Sequence, residues 1–135
     1  LLAIHRTYLG DGCKADVPTP KKLTAAAGPL AGACIPLAAP SGGVLGIAEG
    51  IETAAAASLG SGLPVVAAYC ANALAGFAFP RGIQRLVIFA DHDPAGQQAA
   101  ATLAQRATRA GLTSKTLTPS KPGSDWADVW LEGMQ

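Results

Sequence analysis

Five carboxylates in this 135-residue chain stand shortly after runs of strand-forming residues. Glu49 follows Val44 to Ala48 (VLGIA), Asp91 and Asp93 follow Leu86 to Ala90 (LVIFA), and Asp125 and Asp128 come after Thr113 to Leu117 (TSKTL). Two carboxylates one residue apart repel each other unless something positive lies between them. A donor set made only of carboxylate oxygens suits a hard divalent cation. Mg²⁺ fits first and Mn²⁺ is the alternative, because such ions keep waters that phosphate oxygens can replace. His92 sits between Asp91 and Asp93, but imidazole is a poor Mg²⁺ ligand, so it reads as a solvent-facing spacer. Glu52 already lies inside the following helix and reads as a solvated residue or one at the margin of the site.

These positions make sense only if the chain delivers them to one place. An apolar run bounded by turn signals is the mark of a strand buried on both faces. Ile51 to Leu59 is an Ala-rich helix that Gly60-Ser61-Gly62 should stop. Pro64 to Tyr69 reads as a second strand and Ala73 to Phe79 as a short helix. After the third strand, Leu86 to Ala90, a helix carries the stripe Ala95, Ala99, Leu103, Ala107 and Ala110 opposite Gln98, Thr102, Gln105 and Arg109. Thr113 to Leu117 is a more polar fourth strand, nearer an edge. Trp126 and Trp130, four apart, dock a tail helix on the core. Strand–helix repetition with short links predicts an α/β fold, a doubly wound and mainly parallel four-stranded sheet with helices on both faces. The acidic residues would then share the carboxyl rim of the sheet, where ligands of such folds bind.

Residues 1–42 read differently from residues 43–135. They form a basic, β-rich lead-in, with a strand over Ala3 to Leu9, a tight turn at Gly10-Asp11-Gly12 and a strand over Ala33 to Ala38. Pro18 to Lys22 is too proline-rich for a regular element. Arg6, Lys14, Lys21 and Lys22, with His5, make either a solvated hairpin or a cationic lip for a phosphate-bearing ligand. Half the residues are apolar and 14% are charged, which excludes a disordered chain. Cys13, Cys34 and Cys70 show no C-x-x-C spacing, so neither a zinc ribbon nor a disulfide framework is supported, and a reducing cytoplasm is the simplest home. No apolar run is long enough to span a bilayer. The chain starts at Leu1-Leu2 without Met, which suggests a piece of a longer protein. Asp93 to Gly96 matches the D-x-x-G of GTPases, but the G-x-x-x-x-G-K-[ST] loop is missing. A phosphatase using Asp91 as nucleophile would leave Glu49-Gly50 unexplained.

Taken together, the motifs resemble the Toprim domain shared by bacterial primases, type IA and type II topoisomerases, OLD-type nucleases and RecR-like proteins. Gly46-Ile47-Ala48-Glu49-Gly50 resembles its Glu-Gly motif. Asp91-His92-Asp93-Pro94-Ala95-Gly96 resembles its Asp-x-Asp motif in the primase form. The stretches GIAEGIETAA and PGSDWADV, with the leading His5 to Leu9, are similar to primases and primase-helicases of phages, plasmids and integrative elements. Pro20-Lys21-Lys22-Leu23 resembles the Pro-Lys-Tyr-Leu motif of cellular primases, with Lys22 in place of Tyr. The resemblance implies that Glu49 is a general acid or base near the transferred phosphate and that Asp91 and Asp93 hold Mg²⁺. It implies Asp125, or else Asp128, as a further acidic ligand. The expected activity is primer synthesis from nucleoside triphosphates on single-stranded DNA, with Arg6, Lys14, Lys21 and Lys22 on the template and other domains of a larger primase as partners. A Toprim nuclease or topoisomerase module and a non-catalytic RecR-like module are the rival readings.

Overall fold

The computed structural model describes residues 1–134. Its contacts divide the chain into two compact units, Leu1–Leu30 and the remainder from Ala31. Residues 31–42 therefore pack with the second unit.

The first unit contains β1 (His5–Thr7), β2 (Leu9–Gly10), β3 (Cys13–Lys14) and β4 (Lys21–Leu23). β1 pairs antiparallel with β4, and β2 with β3. The β2–β3 hairpin turns through Asp11 and Gly12, whose φ angles of 50° and 79° are left-handed. Asp-Gly meets that demand at least cost, as hairpins with the right-handed twist require. None of the described residues of this unit is buried. Backbone hydrogen bonds, not a core, hold it. The strand at Lys21–Leu23 corrects the expectation that Pro18 to Lys22 stays irregular. Pro20 has no N–H to give, yet its carbonyl accepts from the Tyr8 N–H at 2.8 Å, and pairing runs on from there.

The second unit runs β5 (Val44–Ala48), α1 (Ile51–Ser61), β6 (Val65–Ala67), α2 (Ala71–Gly76), β7 (Arg85–Phe89), α3 (Pro94–Arg109), β8 (Thr113–Leu117) and α4 (Trp126–Gly133). The four strands form one parallel sheet in the order β6-β5-β7-β8. This is the doubly wound α/β architecture that the strand–helix repetition predicts. β5, β6 and β7 each serve two cores. Leu45, Ile47, Val66, Leu86 and Ile88 pack with Leu74 of α2 and Leu103 of α3. Val65, Val87 and Phe89 pack with Ala54 and Ala57 of α1 and Trp126 of α4. That double duty is why β7 reads as an unbroken apolar run. Gly46 has no room for a side chain, since a Cβ there would lie 2.8 Å from Val65 Cγ2 and 3.1 Å from Phe89 Cε2.

Three local expectations are corrected. Ala33 to Ala38 forms no strand; it makes an isolated antiparallel bridge between Ile35 and Ala67, and Pro36 offers no N–H to extend it. α1 continues through Gly60 and Ser61 before Gly62 turns left-handed at φ 69° and its N–H caps Ser58 O at 2.9 Å. In α3 the buried set is Gly96, Ala99, Ala100, Leu103 and Ala107, while Ala95 and Ala110 face solvent. Among the described residues no helix is long and apolar enough to cross a membrane.

Candidate active site

The chain leaves β5 toward β6 on one side and leaves β7 toward β8 on the other. The crevice outside the carboxyl ends of β5 and β7 is therefore a topological switch point, the default ligand position of an open α/β sheet. Glu49 directly follows β5, and Asp91 lies two residues past Phe89, the last residue of β7. The Glu49 carbonyl accepts from the Tyr69 N–H at 2.8 Å. Tyr69 itself is held at φ 69°, a left-handed conformation that costs a non-glycine residue about 1–3 kcal/mol. Strain of that kind survives only where the surroundings over-determine it, and here it sits at the rim.

Asp91 is the electrostatic centre of the rim. Its Oδ1 is buried and has no hydrogen-bond partner among the described residues. Burial first, then the charges of Glu49, Asp125, Asp93 and Asp128, push its carboxyl from an ordinary value of 3.8 up to about 7. The four other carboxylates singled out from the sequence are thus within electrostatic reach of Asp91. Glu52, half-buried, occupies the first turn of α1. Arg6, Lys14, Lys21 and Lys22 belong to the first unit, on β1, β3 and β4.

Local chemistry fixes most of these acids in place. Asp93 is the N-cap of α3: its Oδ1 accepts from the Gly96 N–H at 2.8 Å, and Pro94 opens the helix. Gly96 is required by close approach, because a Cβ would stand 3.1 Å from the Asp91 carbonyl oxygen and 3.3 Å from the Asp91 Cβ. Asp125 and Asp128 form a reciprocal capping box on α4. The Asp128 N–H donates to Asp125 Oδ1 at 2.9 Å, and the Asp125 N–H donates to Asp128 Oδ2 at 3.1 Å. Buried Thr53 of α1 donates to the other Asp125 oxygen at 3.4 Å. Both acids therefore serve the α4 cap as well as the field at Asp91.

His92 is corrected from spacer to staple. Its ring Nδ1 lies 2.7 Å from the Pro119 carbonyl, which can only accept, so Nδ1 carries the proton. Its backbone N–H donates to Ser124 O at 2.9 Å, and its carbonyl accepts from the Gly123 N–H at 2.8 Å. These bonds tie the loop before α4 to the loop after β7. Sequence reading missed Thr53 as well; its signal was a lone hydroxyl preceding four alanines, four residues past Glu49. Trp126 packs edge-on against Phe89, with centroids 5.6 Å apart, as expected of a docked tail helix. Among the described residues no three His, Cys, Asp or Glu side chains are arranged to hold a metal ion by themselves.

No curated protein matches this chain. Its fold is similar to the crystal structure of a DNA primase domain from Pseudomonas aeruginosa, with a TM-score of 0.63 at 15% sequence identity. The match covers 96% of this chain and 42% of that one. A family model described as Toprim domain matches residues 44–135, and the chain belongs to that family.

Proposed function

We propose that this is the Toprim catalytic domain of a DNA primase, which adds ribonucleotides to a primer on a single-stranded DNA template with a divalent cation. The observation that carries the reading is Asp91, a carboxyl group kept partly out of water, with one oxygen unpartnered and four further carboxylates around it. The fold's likeness to a primase domain supports the subtype, as does the primase form of the Asp91-to-Gly96 motif.

Toprim domains bind divalent metal ions, and the residues here fit one. Asp91 Oδ1 offers an uncommitted oxygen, and Asp93 uses only Oδ1 for its cap. No ready-made cage of three ligands is needed, because Mg²⁺ is commonly held by one or two carboxylates together with waters and substrate phosphates. Asp91 and Asp93 would hold the ion, Mg²⁺ or Mn²⁺, with Asp125 and Asp128 completing the negative rim. When bound, the ion neutralises phosphate oxygens and orients the attacking hydroxyl.

The chain's own residues do the rest. Glu49 takes the proton of the primer 3′-hydroxyl as its oxygen bonds to the α-phosphorus and the bond to pyrophosphate breaks. Gly96 and the Asp93 cap hold Asp91 and the start of α3 in register, and His92 and Thr53 fix the α4 end. In the first unit, Arg6, Lys14, Lys21 and Lys22 give a surface suited to template phosphates. Other domains of a larger primase would accompany this one.

The test is Asp91→Asn in the parent protein. Primer synthesis should be abolished while the circular-dichroism spectrum stays unchanged. Synthesis at the wild-type rate would remove the catalytic assignment.

A further inference from the structure

We propose that the first unit binds a single-stranded nucleic acid by stacking a base on Tyr8, with the flanking phosphates held by Arg6 and Lys22. The choice of nucleic acid as ligand rests on the primase reading; the geometry of the site does not.

The period of a strand places Arg6 and Tyr8 on the same side of the chain, two residues apart. Across the ladder, Arg6 is directly opposite Lys22. Arg6, Tyr8 and Lys22 are exposed, whereas His5, Thr7 and Lys21, alternating with them, are half-buried. One face of this small ladder therefore presents an aromatic ring beside two cations. The Arg6 guanidinium lies 6.0 Å from the centre of the Tyr8 ring and the Lys22 ammonium 5.7 Å from it. Neither cation is ion-paired with a carboxylate among the described residues.

Two like charges directly opposite on an antiparallel pair destabilise it. The Tyr8 ring offsets part of that repulsion, and an anion would offset more. A phosphate backbone supplies anions at regular intervals, and a base supplies the planar face that a tyrosine ring stacks against. An acidic peptide would satisfy the cations and leave the ring unused. The backbone that carries the ring is held on both sides. The Tyr8 N–H donates to Pro20 O at 2.8 Å and its carbonyl accepts from the Ala15 N–H at 2.9 Å, while 40% of the residue stays exposed. A main chain already fixed in this way has little backbone ordering left to lose on binding. Beside it opens a cleft of about 510 Å³ whose lining includes Tyr8, Leu9, Val17, Pro18, Thr19 and Lys22, with polar groups at the ring hydroxyl, Thr19 and the lysine. Stacking of this kind is indifferent to sequence, since every base has a π-face.

The experiment is fluorescence anisotropy of the whole chain with labelled oligo-dT and with an abasic strand of equal length, in buffer containing chelator and no nucleotide. The base-bearing strand should bind at least about fivefold tighter. Tyr8→Ala should erase that preference, and Tyr8→Phe should keep it. Arg6→Gln and Lys22→Gln should each flatten the plot of log affinity against log salt by about 0.7, the slope of one phosphate contact on a single strand. Tyr8→Ala should leave the slope alone. Oligo-rU run in parallel identifies the sugar, and the base preference is required of whichever strand binds tighter. Equal binding of the abasic strand would reduce the surface to a general polyanion site and overturn the proposal. So would a Tyr8→Phe variant as weak as Tyr8→Ala. The comparison of strands on the unaltered chain holds even if a variant fails to fold. Because no metal or nucleotide is present, failure here leaves the primase reading standing, and inactivity of that reading would leave this result untouched.

Discussion

Residues 1–30 and the unit that follows solve opposite problems. The first has four Lys or Arg against two Asp, pairs its strands antiparallel, and buries none of its described residues. The second has six Lys or Arg against seven acidic residues and a parallel sheet packed on both faces. Cations held in solvent cost a fold little, so two short ladders suffice to carry them. A carboxylate with a buried, unpartnered oxygen costs far more and needs a stable scaffold beneath it. The acidic rim stands at the ends of β5 and β7, where residues such as Leu45, Ile47, Leu86 and Ile88 are 0–1% exposed. The lesson is that the strength of the scaffold tracks the cost of the group it holds.

That comparison can be pressed experimentally. Leu103→Ala, at a site with no exposure, should lower stability by about 2–5 kcal/mol in denaturant unfolding. A loss below about 1 kcal/mol would mean the second unit does not depend on this core. Asp93→Ala removes the α3 cap and should cost about 1 kcal/mol in the same measurement. A pH-dependent effect follows from Asp91. Its carboxyl is raised in the folded chain to about 7 from 3.8, so between those values the folded state binds more protons than the unfolded one. Stability of the metal-free chain should therefore fall as pH rises from about 4 to 7. Thermal midpoints across that range should show the decline, and Asp91→Asn should flatten it. Smallest of all, Leu9→Ala in the first unit, 71% exposed, should stay within about 0.5 kcal/mol of wild type. A cost matching that of Leu103→Ala would erase the contrast between the units.

The sheet was legible because β5 and β7 announce themselves locally, as apolar runs closed by Glu49 and by Asp91-x-Asp93, while β8, more polar, reads as the edge strand it is. Membership of α3 in one core was legible too, but its face was displaced: Gly96 and Ala100 are buried and Ala95 and Ala110 are not. Alanines on every side of that helix blur the apolar stripe, and Gly96 is buried for close approach rather than hydrophobicity. The strand at Lys21–Leu23 escaped notice because its pairing with His5–Thr7 rests on backbone bonds that side-chain periodicity does not report. His92 and Thr53 were missed for a related reason. Their partners, Pro119 and Asp125, lie 27 and 72 residues away, and only the folded chain joins them.

The central claim is that Asp91 is kept at a cost because a divalent cation repays it. The most direct measurement is the thermal midpoint of the chain and of Asp91→Asn, at a pH above about 7, as Mg²⁺ is added. The account predicts that the midpoint of the unaltered chain rises with Mg²⁺ while that of Asp91→Asn stays still. Identical responses of the two chains, or no response from the unaltered one, would contradict it.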